Sequence, residues 1–406
     1  MIIADLHIHS HYSRATSSQM NVEEISRVAK VKGIDVIGTG DFTHPLWLEE
    51  LEQHLKPVKY GIYEYNGTSF ILSSEISCIY SQGNKIRRIH IVFLAPSFEI
   101  VKQINKKLNR IGNLKADGRP ILGISALELV KIIKDVSEEV FVIPAHIWTP
   151  WFSLFGANSG FDSIEECFGP YMEYIGALET GLSSDPAMNW MLSGLDKFSL
   201  VSNSDAHSPA NLGREANVLN CEIDYFDIID AIKNKDKKKF LYTIEFFPQE
   251  GKYHYDGHRN CNLCLSPQEA IKLNNICPKC NKPLTIGVMH RVVELSDREY
   301  GFIPDNAIPF KHLIPLKEII QNVYKKKGGS KEVERTYQYF IKEFGSEFNT
   351  LLNIDVSELN RVDPKVADGI ALMIKENVDI SPGYDGEYGK ISIPTASISS
   401  SQMELF

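Results

Sequence analysis

Long apolar runs are missing from this 406-residue chain. No run approaches the roughly 18 to 20 residues that cross a bilayer, and charged Asp5 follows the first residues too early for a secretory signal peptide. An excess of basic charge is also missing, because the formal net charge is -9, which argues against indiscriminate binding to polyanions. We therefore expect a cytoplasmic protein with no membrane partner.

Cysteine is scarce, with seven in the chain, and four of the seven are clustered. The four form two Cys-x2-Cys pairs with twelve residues between them, which is the ligand number and spacing of a four-thiolate zinc ribbon. This clustering fits a metal site in a reducing compartment better than a disulfide framework. We predict one structural zinc ion here. Its ligands are Cys261, Cys264, Cys277 and Cys280.

Hydrophobic residues make up 43% of the chain, enough to bury the cores of two or three domains. Up to about residue 215, seven short runs rich in Ile and Val alternate with longer amphipathic stretches. This alternation is typical of a parallel sheet or barrel with helical crossovers. The seven runs are Met1–Leu6, Asp35–Thr39, Phe70–Ser74, Ile89–Leu94, Val140–Ala145, Tyr174–Leu178 and Ser199–Ser202.

Ionisable side chains that can bind metal follow six of these runs, and the remaining run contains His90. The carboxyl ends of parallel strands meet at one face, so we expect these side chains to converge. An isolated His or Asp at a strand end more often caps a loop, but six together are hard to explain by capping. They are His7, Asp41, Glu75, His146, Glu179 and Asp205.

Two further histidines extend the set. His9 lies two residues after His7, on the same side of an extended chain, and His207 follows Asp205 at the same spacing. A mixed set of imidazoles and carboxylates, with Glu75 able to bridge, suits two or three clustered divalent ions.

The motifs Asp-x-His-x-His at residues 5–9 and Ser-Asp-x-His at residues 204–207 resemble those of the PHP (polymerase and histidinol phosphatase) family. The resemblance covers roughly residues 1–215. It implies a distorted seven-stranded parallel (β/α) barrel, up to three ions of Zn, Mn or Mg, and phosphate ester hydrolysis centred on Asp205 and Glu75. The implied ligands are His7, His9, Asp41, Glu75, His90, His146, Asp205 and His207.

One motif departs from the family pattern. The family's Thr-Asp-His is replaced by Gly40-Asp41-Phe42 with His44 two places later, so either Asp41 or His44 is the ligand. The family's further ligand has no clear match either. His11 is a candidate, and a surface histidine is an equal alternative.

Beyond Pro304 the sequence has helical periodicity. Residues 364–376, after a turn at residues 360–363, resemble half of a helix-hairpin-helix unit. We divide the chain into a phosphoesterase domain (1–225), a linker with the zinc module (226–300), a helical DNA-binding domain (301–393) and a flexible tail (394–406). The predicted helices are Leu316–Tyr324, Val333–Phe344, Phe348–Leu352 and Pro364–Glu376.

This order of modules, with the glycine-rich segment at residues 383–389, resembles the endonuclease Q family over nearly the whole chain. The resemblance implies cleavage of DNA on the 5′ side of a deaminated base (uracil, hypoxanthine or xanthine) or an abasic site. The residues before the first cysteine pack the ribbon or contact DNA, and the glycine-rich segment contacts DNA or forms a tight turn between strands. The candidate DNA contacts are His258, Arg259, Tyr384 and Tyr388.

The chain ends in Gln402, Leu405 and Phe406, spaced as in the Gln-x-x-Leu-Phe peptide that bacterial proteins insert into the sliding clamp. Damaged DNA and such a clamp are the predicted partners. Two other functions remain open. A small-molecule phosphatase of the PHP family has no use for the zinc ribbon or the tail, and a non-catalytic DNA-binding adaptor would not need both His pairs, Glu75 and Asp205.

Overall fold

A computed structural model of the protein describes residues 1–394. The strands in these residues are β1 Ile2–Asp5, β2 Val36–Gly38, β3 Lys56–Lys59, β4 Ile62–Tyr65, β5 Thr68–Gln82, β6 Lys85–Ala95, β7 Ile121–Leu122, β8 Phe141–Pro144, β9 Ala177–Glu179, β10 Ser199–Val201, β11 Ala216–Leu219, β12 Phe240–Glu245, β13 Asp256–His258, β14 Leu263–Leu265, β15 Phe310–His312, β16 Asp379–Ser381 and β17 Lys390–Ser392.

Helices alternate with the first strands and then dominate the C-terminal region. They are α1 Val22–Lys32, α2 Pro45–His54, α3 Phe98–Leu108, α4 Ala126–Lys134, α5 Ile164–Phe168, α6 Pro186–Asn189, α7 Tyr225–Lys233, α8 Pro267–Lys272, α9 Val288–Leu295, α10 Leu316–Tyr324, α11 Lys331–Phe344, α12 Glu347–Leu352, α13 Val356–Val362 and α14 Pro364–Ile374. Between residues 1 and 394, no helix has the length and apolarity needed to cross a membrane.

Each of the seven predicted runs contains or overlaps a strand: β1, β2, β5, β6, β8, β9 and β10. β1, β2 and β5 pair in parallel, and so do β9 and β10. Single bridges, Val142 to Ile175 and Ile8 to Ala206, connect this second pair with β8 and with the end of β1. The α/β class is therefore confirmed, whereas a closed seven-stranded barrel stays a prediction.

The prediction that all seven strands are parallel is wrong for β6, which is antiparallel to both β5 and β8. β5 and β6 form a hairpin whose turn residues, Gly83 and Asn84, both have positive φ, as a tight two-residue turn requires. Because β6 runs the other way, its amino-terminal part reaches the edge where the other strands end. This explains why His90 lies inside its strand and not after it.

Both faces of the sheet are buried, as expected for strands covered by crossover helices. Ile2 and Ala4 belong to one apolar cluster and Ile3 to another, so neighbouring residues of β1 face opposite sides. The polar side chains of the candidate site follow these buried segments or, as Glu75 and His90 do, lie within them. Their backbone is therefore fixed by packing on two sides.

The C-terminal region contains the four predicted helices with small shifts of their ends, and α13 in addition. The turn predicted at residues 360–363 is wrong, because residues 360–362 belong to α13. Asp363 alone separates α13 from α14, and its side chain accepts hydrogen bonds from the N–H groups of Lys365 and Val366. The helix-hairpin-helix likeness stays a prediction.

Buried charged contacts attach this region to the rest of the molecule. Lys32 Nζ at the end of α1 lies 3.0 Å from Glu347 Oε2. His312 lies between two carboxylates, 3.3 Å from Asp185 and 3.1 Å from Glu376. Burial lowers the pKa of His312, but Asp185 and Glu376 outweigh burial and raise the pKa to about 9. The histidine is therefore charged at neutral pH and bridges the two regions.

The glycine-rich segment 382–389 joins β16 to β17, which are antiparallel, so its interpretation as a tight turn agrees with the structure. The turn packs on the cysteine module, where Tyr255 N–H donates to Gly383 O and Asp385 accepts from Arg259 N–H and Thr285 Oγ1. The tail residues Gln402, Leu405 and Phe406 lie outside the described residues.

Candidate active site: a buried imidazole and carboxylate cluster

His7 and His9 follow β1 and are fully buried. Their Nε2 atoms, and Oδ1 of Asp205, are enclosed and make no hydrogen bond within the described residues. These atoms nevertheless lie close together, with His9 Nε2 3.0 Å from Asp205 Oδ1 and 3.4 Å from Glu75 Oε2. Buried imidazole and carboxylate atoms that lie this close together without a hydrogen bond are arranged as metal ligands are.

Glu75 lies at the centre of the cluster. Its Oε1 is 2.8 Å from His90 Nδ1 and 3.1 Å from His146 Nε2, and its Oε2 faces His9. The ligand atoms form three overlapping groups, in which Glu75 and His9 each belong to two. The groups are His7, His9 and Glu75; Glu75, His90 and His146; and His9, Asp205 and His207. Overlapping groups of this kind fit up to three neighbouring divalent ions.

Asp41, one of the predicted ligands, belongs to none of these groups. Its Oδ1 lies 3.0 Å from His9 Nδ1, and its Oδ2 accepts hydrogen bonds from the N–H and Oγ of Ser10 and from Ser13 Oγ. Both oxygens are occupied by protein donors, as in a carboxylate that orients a ligand histidine, and a direct bond from Asp41 to an ion stays a prediction. The sequence left open whether Asp41 or His44 is the ligand, and neither residue lies in one of the three groups.

The two other histidines also lie outside the ligand groups. His44 precedes helix α2 and its ring stacks on Tyr12 at 4.3 Å between centroids. His11 Nδ1 is 3.1 Å from Met20 O. Both rings therefore serve the packing of the loop after β1.

Glu179 has the same role for His7 that Asp41 has for His9. Both of its oxygens lie 3.0 Å from His7 Nδ1, Oε2 accepts the His146 N–H at 2.9 Å, and Oε1 accepts from Asn203 Nδ2 at 2.9 Å. The sequence placed Glu179 at a strand end but did not distinguish a ligand from a group that orients one. That distinction depends on which N–H groups surround the carboxylate.

Burial lowers the pKa values of the histidines at this site, whereas the neighbouring carboxylates raise them. Burial lowers the pKa of His90 to about 4 although Glu75 opposes this, so its imidazole is neutral and can bind metal at neutral pH. Burial also lowers the pKa of His7, but Glu179 and then Asp205 outweigh it and raise the pKa to about 9. Ion binding at His7 therefore competes with a proton.

Three residues at this site have left-handed backbone conformations, which non-glycine residues rarely adopt. They are Asp41 with φ 50°, His146 with φ 30° and Asp205 with φ 46°. Such conformations cost about 1 to 3 kcal/mol each and persist where the surrounding structure enforces them. Here they turn the side chains after β2, β8 and β10 toward one point.

The cysteine module also differs from the prediction. His258, Cys261, Cys277 and Cys280 form one group of possible ligands, with His258 Nδ1 3.3 Å from Cys280 Sγ. Cys264 is exposed and its Sγ lies 3.9 Å from Pro382 O, outside the group. His258 is therefore an alternative to the predicted Cys264 as the fourth ligand. The spacing His258-x2-Cys261 repeats that of the second pair and is the signal that could have revealed this.

The predicted DNA contacts are in different environments. His258 belongs to the cysteine group, and Tyr384 packs so closely on Gly257 that a Cβ there would lie 2.4 Å from its ring. Arg259 is exposed, and Tyr388 is 69% exposed with Lys252 Nζ 4.4 Å from its ring centre.

An exposed aromatic residue that the sequence analysis missed lies close to this surface. Trp151 follows His146 by five residues and contacts Tyr253 edge to face at 5.6 Å. The Tyr253 hydroxyl is in turn near Gly386 in the turn between β16 and β17. Aromatic and basic side chains thus extend from the loop beside the metal cluster to the β16–β17 turn.

Comparison with known proteins places the chain in context. Residues 315–376, which include α10 to α14, match the family model described as the MJ0043 C-terminal domain. Protein MJ0043 of Methanocaldococcus jannaschii is 39% identical over 252 residues, which are 60% of this chain and 31% of that protein. The chain therefore spans about a third of this relative.

Two solved structures match over the full length. The lesion-specific endonuclease PfuEndoQ from Pyrococcus furiosus has a TM-score of 0.89 and 34% identity, covering 99% of this chain and 98% of that one. An endonuclease Q in complex with a 27-mer duplex carrying an abasic lesion has a TM-score of 0.88 and 34% identity, covering both chains completely.

The α/β fold and the multi-ion cluster, together with these matches, define a metal-dependent endonuclease. The chain belongs to the endonuclease Q family.

Proposed function

We propose that this protein is a DNA repair enzyme that hydrolyses the phosphodiester on the 5′ side of deaminated bases (uracil, hypoxanthine or xanthine) or abasic sites. The observation that carries the proposal is the buried cluster of seven imidazole and carboxylate ligands in three overlapping groups. The lesion class is supported by the full-length likeness to a lesion-specific endonuclease and to an endonuclease Q that holds an abasic duplex.

The ligand set fits divalent metal ions, since the buried Nε2 atoms of His7 and His9 and Oδ1 of Asp205 have no hydrogen-bond partner among the described residues. Divalent ions bound there would supply an activated water molecule and neutralise charge on the phosphate. Imidazole and carboxylate together suit Zn, Mn or Mg. The contribution of the chain is to hold the ligands, because Glu179 and Asp41 fix the rings of His7 and His9 with Nε2 inward.

The second part of the proposal concerns DNA binding. An enzyme that selects by base identity but cuts the backbone has to extrude the base, and aromatic faces beside the cutting site stabilise unstacked bases. Trp151 and Tyr388 are exposed, and Lys252 and Arg259 beside them provide positive charge for the backbone. Tyr384 and His258 support this surface from below by packing on the cysteine module.

Each of the four predicted segments of the chain has its own role in this proposal. We assign residues 1–225 to catalysis, 226–300 to the linker and zinc module, 301–393 to DNA binding, and 394–406 to recruitment by a sliding clamp. The match of residues 315–376 to a separate family model supports treating the helical region as a unit.

Two other functions are disfavoured by particular observations. A small-molecule phosphatase would not need the exposed Trp151 and Tyr253 pair next to the cluster. A non-catalytic DNA-binding adaptor would not retain seven converging ligands with their orienting carboxylates.

The test is cleavage of end-labelled duplexes that contain uracil, hypoxanthine, xanthine, an abasic site or no lesion, with the product ends mapped. We expect a nick on the 5′ side of the lesion, dependent on a divalent ion. Asp205→Asn should remain folded and lose several orders of magnitude in rate, because Asp205 is the carboxylate of one ligand group.

Two results would contradict the proposal. Cleavage of undamaged and damaged duplexes at equal rates would exclude lesion recognition. Undiminished cleavage by folded Asp205→Asn would remove this residue from the metal cluster.

A further inference from the structure

The loop that precedes β7 is held tightly against the metal cluster. Gly118 N–H donates to Tyr12 O at 3.0 Å, and Gly118 O accepts from Thr43 Oγ1 at 3.2 Å. A Cβ at this position would lie 2.3 Å from Asp41 Oδ2 and 2.4 Å from Ser13 Oγ. Only glycine permits this close approach, so the next residue has a fixed position relative to the cluster.

That next residue is Arg119. Its Nη1 donates to Glu75 Oε2 at 3.0 Å, and its backbone N–H donates to Asp117 Oδ1 at 3.1 Å. The Arg119 side chain is 25% exposed whereas Glu75 is completely buried. The guanidinium therefore extends from the central carboxylate of the cluster to the solvent.

Arg119 is distinctive in charge as well as in position. Within residues 1–394, it is the one Lys or Arg side chain whose charged atoms lie within 4 Å of a carboxylate of the ligand cluster. A guanidinium keeps its charge at all accessible pH values and carries five N–H donors. One hydrogen bond to Glu75 leaves other donors available at the mouth of the site.

We propose that Arg119 is a catalytic residue that binds a non-bridging oxygen of the scissile phosphate and stabilises the charge that develops on it during hydrolysis. The planar fork of donors matches phosphate oxygens. A donor held by a rigid loop requires no reorganisation as charge develops, which is the condition under which electrostatic stabilisation is strongest. This inference rests on the proposed phosphodiester hydrolysis.

The alternative role for Arg119 is that of a counter-ion that merely keeps Glu75 ionised. The two roles differ in their effect on the ions. A counter-ion would be needed for metal affinity, whereas a phosphate ligand would leave metal affinity unchanged and act on the DNA.

The first experiment compares Arg119→Gln, Arg119→Lys and wild type, with Arg110→Gln as the matched control. Arg110 is exposed and lies in the same connection between α3 and β7, so its variant removes one charge nearby. We expect Arg119→Gln to lower kcat by about 10²- to 10³-fold with a smaller change in KM. Arg119→Lys should recover part of the loss, and Arg110→Gln and the metal content of all variants should match wild type.

The second experiment measures binding in Ca²⁺ before detectable cleavage. Lesion duplexes carry either a normal phosphate or a neutral methylphosphonate at the scissile position. Wild type and Arg110→Gln should prefer the charged duplex by about tenfold or more. This preference should be clearly smaller in Arg119→Gln, in which only the ions contact the charged oxygen. This double-mutant cycle isolates the contact between Arg119 and the phosphate.

Three results would overturn the inference while leaving the proposed function intact. They are rates of Arg119→Gln within threefold of wild type, loss of bound ions from this variant, and a preference for the charged duplex that is as large as that of wild type. Failure of wild type to cleave any lesion duplex would overturn the proposed function itself, and this inference with it.

Discussion

Replacing Glu179 by Gln should weaken metal binding without unfolding the protein. Both carboxylate oxygens of Glu179 face N–H donors: Oε1 accepts from Asn203 Nδ2, Oε2 accepts the His146 N–H, and His7 Nδ1 is 3.0 Å from each. A Gln amide has a single oxygen. Whichever way it turns, its NH2 group faces at least one of these donors.

The size of the effect follows from this mismatch. A buried donor left without an acceptor costs about 1 to 3 kcal/mol, and loss of an orienting carboxylate behind a ligand histidine typically lowers metal affinity by about 10- to 100-fold. That range is equivalent to about 1.4 to 2.7 kcal/mol. We expect the same factor in the concentration of divalent ion that gives half-maximal cleavage.

Glu245→Gln is the matched control. Glu245 is also completely buried, but burial raises its pKa to about 8, so it is largely protonated at pH 7 and an amide resembles its native state. Its two oxygens face the hydroxyls of Thr180 and Thr243. A hydroxyl can accept a hydrogen bond as well as donate one, so it can pair with the NH2 group of an amide, which the N–H groups around Glu179 cannot do. Its variant should bind ions as wild type does.

Calorimetric titration with Mn²⁺ and thermal unfolding of both variants make up the assay. If folded Glu179→Gln binds ions within twofold of wild type, Glu179 does not orient His7 and the argument fails.

Three further predictions concern other parts of the chain. His258→Ala should release zinc from the cysteine module while Cys264→Ser keeps it, as measured by metal analysis; the reverse result would restore the four-cysteine site. The charged form of His312 stabilises the fold, and this contribution is complete below about pH 6.5 and is lost as the pH rises through about 9. His312→Asn should therefore lower the free energy of unfolding by about 1 to 3 kcal/mol at pH 6. Its difference from wild type in urea unfolding should shrink by pH 9.5, and a constant difference would exclude this linkage. Deletion of Gln402–Phe406 should leave cleavage of a short oligonucleotide unchanged and abolish binding to a bacterial sliding clamp in pull-down assays; equal clamp binding would show the tail match to be accidental.

The sequence by itself determined the strand positions and most of the residues that the structure brings together as candidate ligands. Short Ile- and Val-rich runs followed by His, Asp or Glu carry a local signal, because a buried strand needs apolar residues on both faces and its end is where a polar side chain first becomes tolerable. His7, His9, Glu75, His146, Asp205 and the helices beyond residue 304 could be located on that basis.

Tertiary structure decided the direction of β6 and the partners of each polar atom. Whether a carboxylate binds an ion or orients a histidine depends on the N–H groups around it, and these come from distant segments, as Asn203 and His146 do for Glu179. The same is true of Arg119, which is brought to Glu75 from 44 residues away, and of His258, which lies with three of the four clustered cysteines. Spacing along the chain indicates which residues can be ligands, but only the packing of separate segments brings the donor and acceptor atoms together.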